Sequence, residues 1–469
     1  MAATAGTSTP ENPVGDRSTR SPAWLLAPEQ WPHGEGRGHC YQLPMENMHM
    51  LITGFAIVVL ATTAVTAPLR TTEIEKSPAQ SRIDWARAAL ARAPEGERAR
   101  VGLHNEIALA LARRARETGD TSFYDQAARA LAPALALAPE DLQARTIEIW
   151  IMLGRHEFAA ALEKAQALNR RAPDDVQVYG LIADAAAEMG EYATAESAVQ
   201  WMLDIRPGNV AGLTRGAYLR EVFGDVDGAI DFMTLAYERT PPDESEDRAW
   251  LLTHIGHLML LAGRVDDAES AVRRALEAFP DYHYALAMMG RVRTAQGRHA
   301  EAAEFLARHV AAAPHPENYY YHAEALQRAG RLAEAAAAWK VFETKARGEM
   351  NAVDNANREL VLYYVDRANQ GDEALRIASA EIVRRRDVYT RDALAWSLSA
   401  VGRHAEAREA INAALSVGTS DPRLLYHAGI IAMRQGDRDS ARRYLERAIQ
   451  GASESTQPAR EALASLSAK

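Results

Sequence analysis

The sequence predicts an all-α chain: a right-handed superhelical solenoid of stacked αα-hairpins, preceded by a disordered extension and one hydrophobic helix. Three observations predict it. Pro139, Pro173, Pro207 and Pro241 are each 34 residues apart, and Pro280 and Pro314 are again separated by 34. Glycines keep the same step from Gly190 to Gly224, Gly263 to Gly297 and Gly402 to Gly436. An alanine follows its glycine by five residues at Ala195, Ala229, Ala268, Ala302, Ala335, Ala407 and Ala441. A fixed period of this length marks an array in which each unit is one supersecondary structure.

Composition agrees. The chain of 469 residues carries 53 Lys or Arg against 63 Asp or Glu, a formal charge of −10. Nucleic-acid binders rely on a basic domain or stripe to contact phosphates, and none is apparent, so a nucleic-acid partner is not expected. A hydrophobic fraction of 48% with 25% charged residues excludes a wholly disordered chain and a multi-span membrane protein. Eight Phe against abundant Ala, Leu, Arg and Glu favour helix over sheet. The single cysteine, Cys40, has no partner for an intramolecular disulfide and precedes the region expected to fold, which removes thiol nucleophiles and Cys-ligated zinc from that region.

Residues 1–44 are rich in Gly, Pro, Ser and Thr without helical or strand periodicity and read as a disordered extension. Within 45–69, the stretch Leu51–Leu69 has no charge and centres on Phe55–Leu60, the pattern of a signal peptide or a single membrane anchor. Ala64-Val65-Thr66-Ala67 resembles a signal-peptidase site. The position of this stretch within the chain predicts translation from Met45, Met48 or Met50. A linker follows at 70–80, then the repeat region at 81–455 and a capping helix at 456–469.

Within the repeats an apolar-periodic helix A leads to a glycine turn, a second helix B and then proline. Glycine supplies the positive φ that ends helix A, proline ends helix B, and the recurrent alanine lets B lie close against A. One hairpin cannot bury its own apolar faces, so neighbours stack. The longer loops at Thr118–Tyr124 and Pro241–Asp247 leave the stack intact, whereas the missing proline between Thr344 and Asn357 predicts a joint.

This frame resembles the tetratricopeptide repeat family, and 249–282 fits it well, with Trp250 near the aromatic position, Gly256 at the small position, Ala268 and Ala275 in helix B, and Pro280 at the end. About nine to ten repeats share the frame. The resemblance implies that A helices line a concave groove and that ligand contacts come from their second, fifth, ninth and twelfth positions. Those positions give Thr214, Tyr218, Thr253, His257, Tyr284, Arg291, Tyr320, Glu324, Tyr363, Asp392, Trp396, Arg423 and Tyr426 as candidate partner-binding residues. Aromatic rings and guanidinium groups are what binding hot spots favour. The Lys and Asn clamp of chaperone-binding members is absent, because the corresponding pairs are Gly180 with Asp184, Thr214 with Tyr218 and Thr253 with His257.

No catalytic or metal site is expected. His254-Ile255-Gly256-His257 matches a nucleotide-binding signature of class I aminoacyl-tRNA synthetases, but without the strands of a Rossmann fold it reads as a solvated histidine pair with no third ligand at useful spacing. Gly-Arg-His recurs at His156, His299 and His404, one turn position on separate units. The reading is therefore a non-enzymatic scaffold without cofactor that holds an extended peptide or partner helix in its groove, in the cell envelope, and contacts a membrane through 51–69 if that segment is uncleaved. A cytosolic ligand-sensing regulator and an accessory module presenting substrate to an envelope enzyme are the alternatives.

Overall fold

The computed structural model describes residues 77–94 and 98–467. The expected extension and apolar segment lie outside the described residues. Helix α1 (Pro78–Arg92) precedes ten hairpins. The first five are α2 (Arg98–Thr118) with α3 (Ser122–Leu137), α4 (Leu142–Gly154) with α5 (Phe158–Asn169), α6 (Val176–Glu188) with α7 (Tyr192–Ile205), α8 (Val210–Val222) with α9 (Val226–Arg239), and α10 (Ser245–Leu261) with α11 (Val265–Ala278). The next five are α12 (His283–Ala295) with α13 (His299–Ala312), α14 (Pro316–Arg328) with α15 (Leu332–Glu349), α16 (Asn357–Asp366) with α17 (Gly371–Arg384), α18 (Val388–Ala400) with α19 (His404–Leu415), and α20 (Pro422–Arg434) with α21 (Arg438–Ala448). Helix α22 (Thr456–Ser467) covers the last hairpin, burying Ala459 and Leu466 beside Leu425 and Leu445. Among the described residues every regular element is a helix, and no described helix is long and apolar enough to cross a membrane.

Local chemistry sets the boundaries. Asp141, Asp175, Asn209, Asp387 and Asp421 sit at the N-caps of α4, α6, α8, α18 and α20, where their side chains accept first-turn amide N–H groups. Each such cap stabilises by about 1 kcal/mol. Gly190 leaves α6 at φ 69°, a conformation that costs a side-chain-bearing residue about 1–2 kcal/mol. The small positions act as the repeat requires: a Cβ on Gly256 would lie 2.5 Å from Val272 Cγ2, and one on Gly290 2.6 Å from Leu306 Cγ. Ala195, Ala229, Ala268, Ala302, Ala407 and Ala441 are 0% exposed.

Where the closing proline is missing, α15 runs on for 18 residues and α16 has only 10. The core nevertheless passes without interruption from Phe342 and Ala346 to Leu360 and Tyr364.

The array coils so tightly that its two turns touch. The Val388 amide donates to Tyr192 Oη at 3.0 Å, and Ser420 Oγ to the Gly224 carbonyl at 3.4 Å, each across 196 residues. His315 bonds the Gly119 carbonyl across the same interval, and Arg385 pairs with Glu188 across 197. The Ala452 amide donates to the Leu260 carbonyl at 2.9 Å. One superhelical turn thus takes just under six units of 34 residues, and the turn following helix A in the first coil abuts a loop following helix B in the second.

The lumen as candidate functional site

Closure converts the concave groove into a lumen with a cavity of about 1360 Å³. It exceeds the 300–1,000 Å³ typical of small-molecule pockets. Of the residues expected from the repeat frame, Thr214, Tyr218, Thr253, His257, Tyr284, Arg291, Glu324, Asp392 and Arg423 line it. Two of these have little left to offer a partner. Thr253 donates its hydroxyl to the Ala249 carbonyl at 2.8 Å, and the buried Asp392 carboxylate faces His427 Nδ1 at 2.9 Å through both oxygens. Tyr284 is the most open, at 42% exposed.

Tyr320, Tyr363, Trp396 and Tyr426 lie outside the lining of the lumen. Tyr320 is 3% exposed and packs edge-on against Trp339 and Phe342, with ring centroids 5.1 and 5.4 Å away. Tyr363 stacks on the same Trp339 at 5.4 Å. Trp396 lies flat on His427 at 4.2 Å and donates its indole N–H to Asp366 at 2.8 Å. Tyr426 packs beside Leu425 and Leu445 under the capping helix. Rings at these positions bury more apolar area between repeats than the lumen offers them.

His254 and His257 also differ from expectation. They are not a solvated pair: Glu221 on the preceding A helix lies between them, 3.2 Å from His254 Nε2 and 2.8 Å from His257 Nε2. Arg291 Nη1 donates to His257 Nδ1 at 3.2 Å, so the His257 proton sits on Nε2 and points at Glu221. Arg291 Nε also approaches Glu454 at 3.6 Å. Burial alone would raise the Glu221 pKa, but His257 and His254 together hold it well below the usual carboxylate range. Sequence spacing looked within one helix; Glu221 is one repeat earlier, 36 residues from His257. Among the described residues no group of three or more His, Cys, Asp or Glu is arranged to hold a metal.

The closing seam supplies the lumenal groups that repeat positions did not reveal. Arg358 pairs with its neighbour Glu359 at 2.8 Å, and Tyr321 donates to the same carboxylate at 3.2 Å. Burial and the Glu359 charge push Glu317 up to about 7. Burial, with Glu188 near it, raises the Tyr218 phenol well above its ordinary value. His156 Nδ1 faces Asp354 at 3.3 Å across the two turns. His283, at the start of α12, bonds the Arg116 carbonyl at 2.9 Å, and burial pushes its imidazole down to about 4. The wall is therefore aromatic and doubly charged, with arginines and carboxylates already paired to one another.

Two family models described as tetratricopeptide repeat match residues 259–326 and 393–456. Similar solved structures include the human IFIT1 dimer with PPP-AAAA, at 14% identity and a TM-score of 0.43, covering 81% of this chain and 96% of that one. Yeast Tom70 is 14% identical with a TM-score of 0.33, covering 77% and 95%. A tetratricopeptide repeat protein from Parabacteroides merdae is 18% identical with a TM-score of 0.33, covering 55% and 99%. No curated protein matches the chain. With its ten stacked hairpins, its glycine and alanine frame and these two matches, the chain carries tetratricopeptide repeats.

Proposed function

We propose that the chain is a non-catalytic interaction scaffold whose lumen holds an extended segment of a partner protein. Tetratricopeptide repeats serve protein–protein interaction in general. The observation that carries the finer reading is the lumen itself: aromatic rings and guanidinium groups from successive A helices converge on one cavity of about 1360 Å³. Tyr and Arg are the side chains that anchor interfaces. An extended segment suits this wall better than a helix. A helix with its side chains is about 10–12 Å across, and contact between the two turns narrows lateral entry to the lumen.

The paired charges support side-chain-by-side-chain recognition, since Arg291 and Arg358 can exchange their carboxylate partners for those of a ligand. The apolar stretch at 51–69 supports export or tethering, so the scaffold would act in the cell envelope. A photo-crosslinking residue in place of Tyr284 tests the lumen. It is expected to capture a partner, whereas the same residue in place of Trp201, which is 52% exposed and outside the lumen, is expected not to. Capture at Trp201 alone would overturn the reading. Sequencing the mature N-terminus tests export, and a chain retaining its first 44 residues in the cytosol would contradict it.

A further inference from the structure

We propose that the free rim of the second turn docks the free rim of the first turn in another copy of this chain, continuing the coil head to tail.

In the first turn the glycines that follow helix A are closely approached by the second turn. A Cβ on Gly119 would lie 2.6 Å from Ala313 Cβ, and one on Gly263 2.7 Å from the Gln450 carbonyl oxygen. Gly190 and Gly224 abut the carbonyls of Arg386 and Gly418. In the second turn the glycines at the same repeat position, Gly297, Gly330, Gly402 and Gly436, have nothing within 4 Å and are exposed. One backbone motif thus forms a packed interface in one turn and an open rim in the next.

The side chains carry the same contrast. Two residues after the glycine, the covered turns hold Tyr192, whose hydroxyl receives the Val388 amide, and Val226 and Val265. The open turns hold His299, Leu332, His404 and Arg438 there, and Leu332 is 66% exposed.

The complementary surface is present on the same molecule. Every loop that covers a first-turn glycine follows a B helix. The first turn's own loops of that kind, 138–141, 170–175 and 206–209, bond only to their own or neighbouring hairpins among the described residues. They expose Glu140 and Asp174 beside Arg170, Arg171 and Arg206, with Glu140 in a surface pair to Arg171 at 2.8 Å, and the open rim exposes Arg298 and Arg403, each 46% or more exposed and held only by a surface pair to Glu301 and Glu406. Exposed pairs of that kind contribute little, so the arginines of one rim and the carboxylates of the other can exchange partners across a joint. A contact between two different surfaces of one molecule is heterologous and extends openly unless the rotation closes a ring.

Sedimentation velocity of the full chain tests this. The mean mass is expected to rise with concentration and to fall with added salt, as screening weakens the charged rim. Leu332→Glu with Arg403→Glu should disable one rim, and Glu140→Lys with Asp174→Lys the other. Each double variant alone is expected to sediment as a single chain. A mixture of the two retains one competent rim of each kind and is expected to double in mass and stop at a dimer, which also shows that both variants are folded. A chain that stays monomeric at every concentration, with the rim covered by its own N-terminal residues or by nothing, would overturn the proposal. So would self-association that persists in both variants, or a mixture that gains no mass.

Discussion

Glu221 is the residue on which the lumenal charge pattern turns. It receives both His254 and His257, and its charge is kept because the two imidazoles offset its burial. Glu221→Gln keeps the shape but can accept from only one imidazole. Hydrogen bonds to charged groups contribute about 1.5–3 kcal/mol, so a loss of about 2 kcal/mol in chemical denaturation is expected, with His257 shifting in NMR. His283 gives a pH dependence of known sign. Its folded pKa of about 4 lies below the unfolded value near 6.5, so its contribution is complete above about pH 6.5 and is lost as pH falls through 4. One pKa unit is worth about 1.4 kcal/mol, giving a loss on the order of 3 kcal/mol. Comparing the stability of the wild type and His283→Gln at pH 7 and pH 4 isolates it, and the variant is expected to show the shallower slope.

At the scale of the element, each helix is specified twice, by its cap and by its small packing position. Asp175→Ala removes the acceptor of two amides at the start of α6 and is expected to cost about 1 kcal/mol. Gly256→Ala places a methyl 2.5 Å from Val272 and, as overpacking, is expected to cost about 1–3 kcal/mol. Thermal denaturation should rank the two in that order. The turn glycines and the alanine five residues on were legible because they are local and repeat with the chain. What was not legible is which face of helix A a ring chooses. Trp396 and Tyr320 occupy ligand positions in the frame, yet each has an inter-repeat bed waiting, His427 and Asp366 for one and Trp339 with Phe342 for the other. That competition depends on partners one repeat away, which a single-helix pattern does not encode.

At the scale of the molecule, the coil's closure decides what the site is. The small rotation between neighbouring hairpins, summed over just under six units, brings Gly190 against Arg386 and Gly224 against Gly418. Residues 196 apart have no shared periodic signal, so Glu188, Arg385, Glu317 and Asp354 could not be placed at the lumen from sequence. Gly190→Ala against Gly402→Ala separates closure from backbone strain. Both glycines have positive φ, 69° and 79°, and share the same backbone cost, but only Gly190 faces the other turn. The first variant is expected to melt lower and to give a larger radius of gyration in X-ray scattering, and the second to keep the wild-type radius.

A partner held inside the coil must lose affinity when lumenal side chains are removed. With the partner recovered by crosslinking at Tyr284, titration calorimetry compares the wild type with Tyr284→Ala, Arg291→Ala and Trp201→Ala. The two lumenal variants are expected to weaken binding about tenfold or more, the scale of a hot-spot residue, while Trp201→Ala leaves it unchanged. Full affinity in both lumenal variants, with loss at Trp201, would instead place the partner on the outer face.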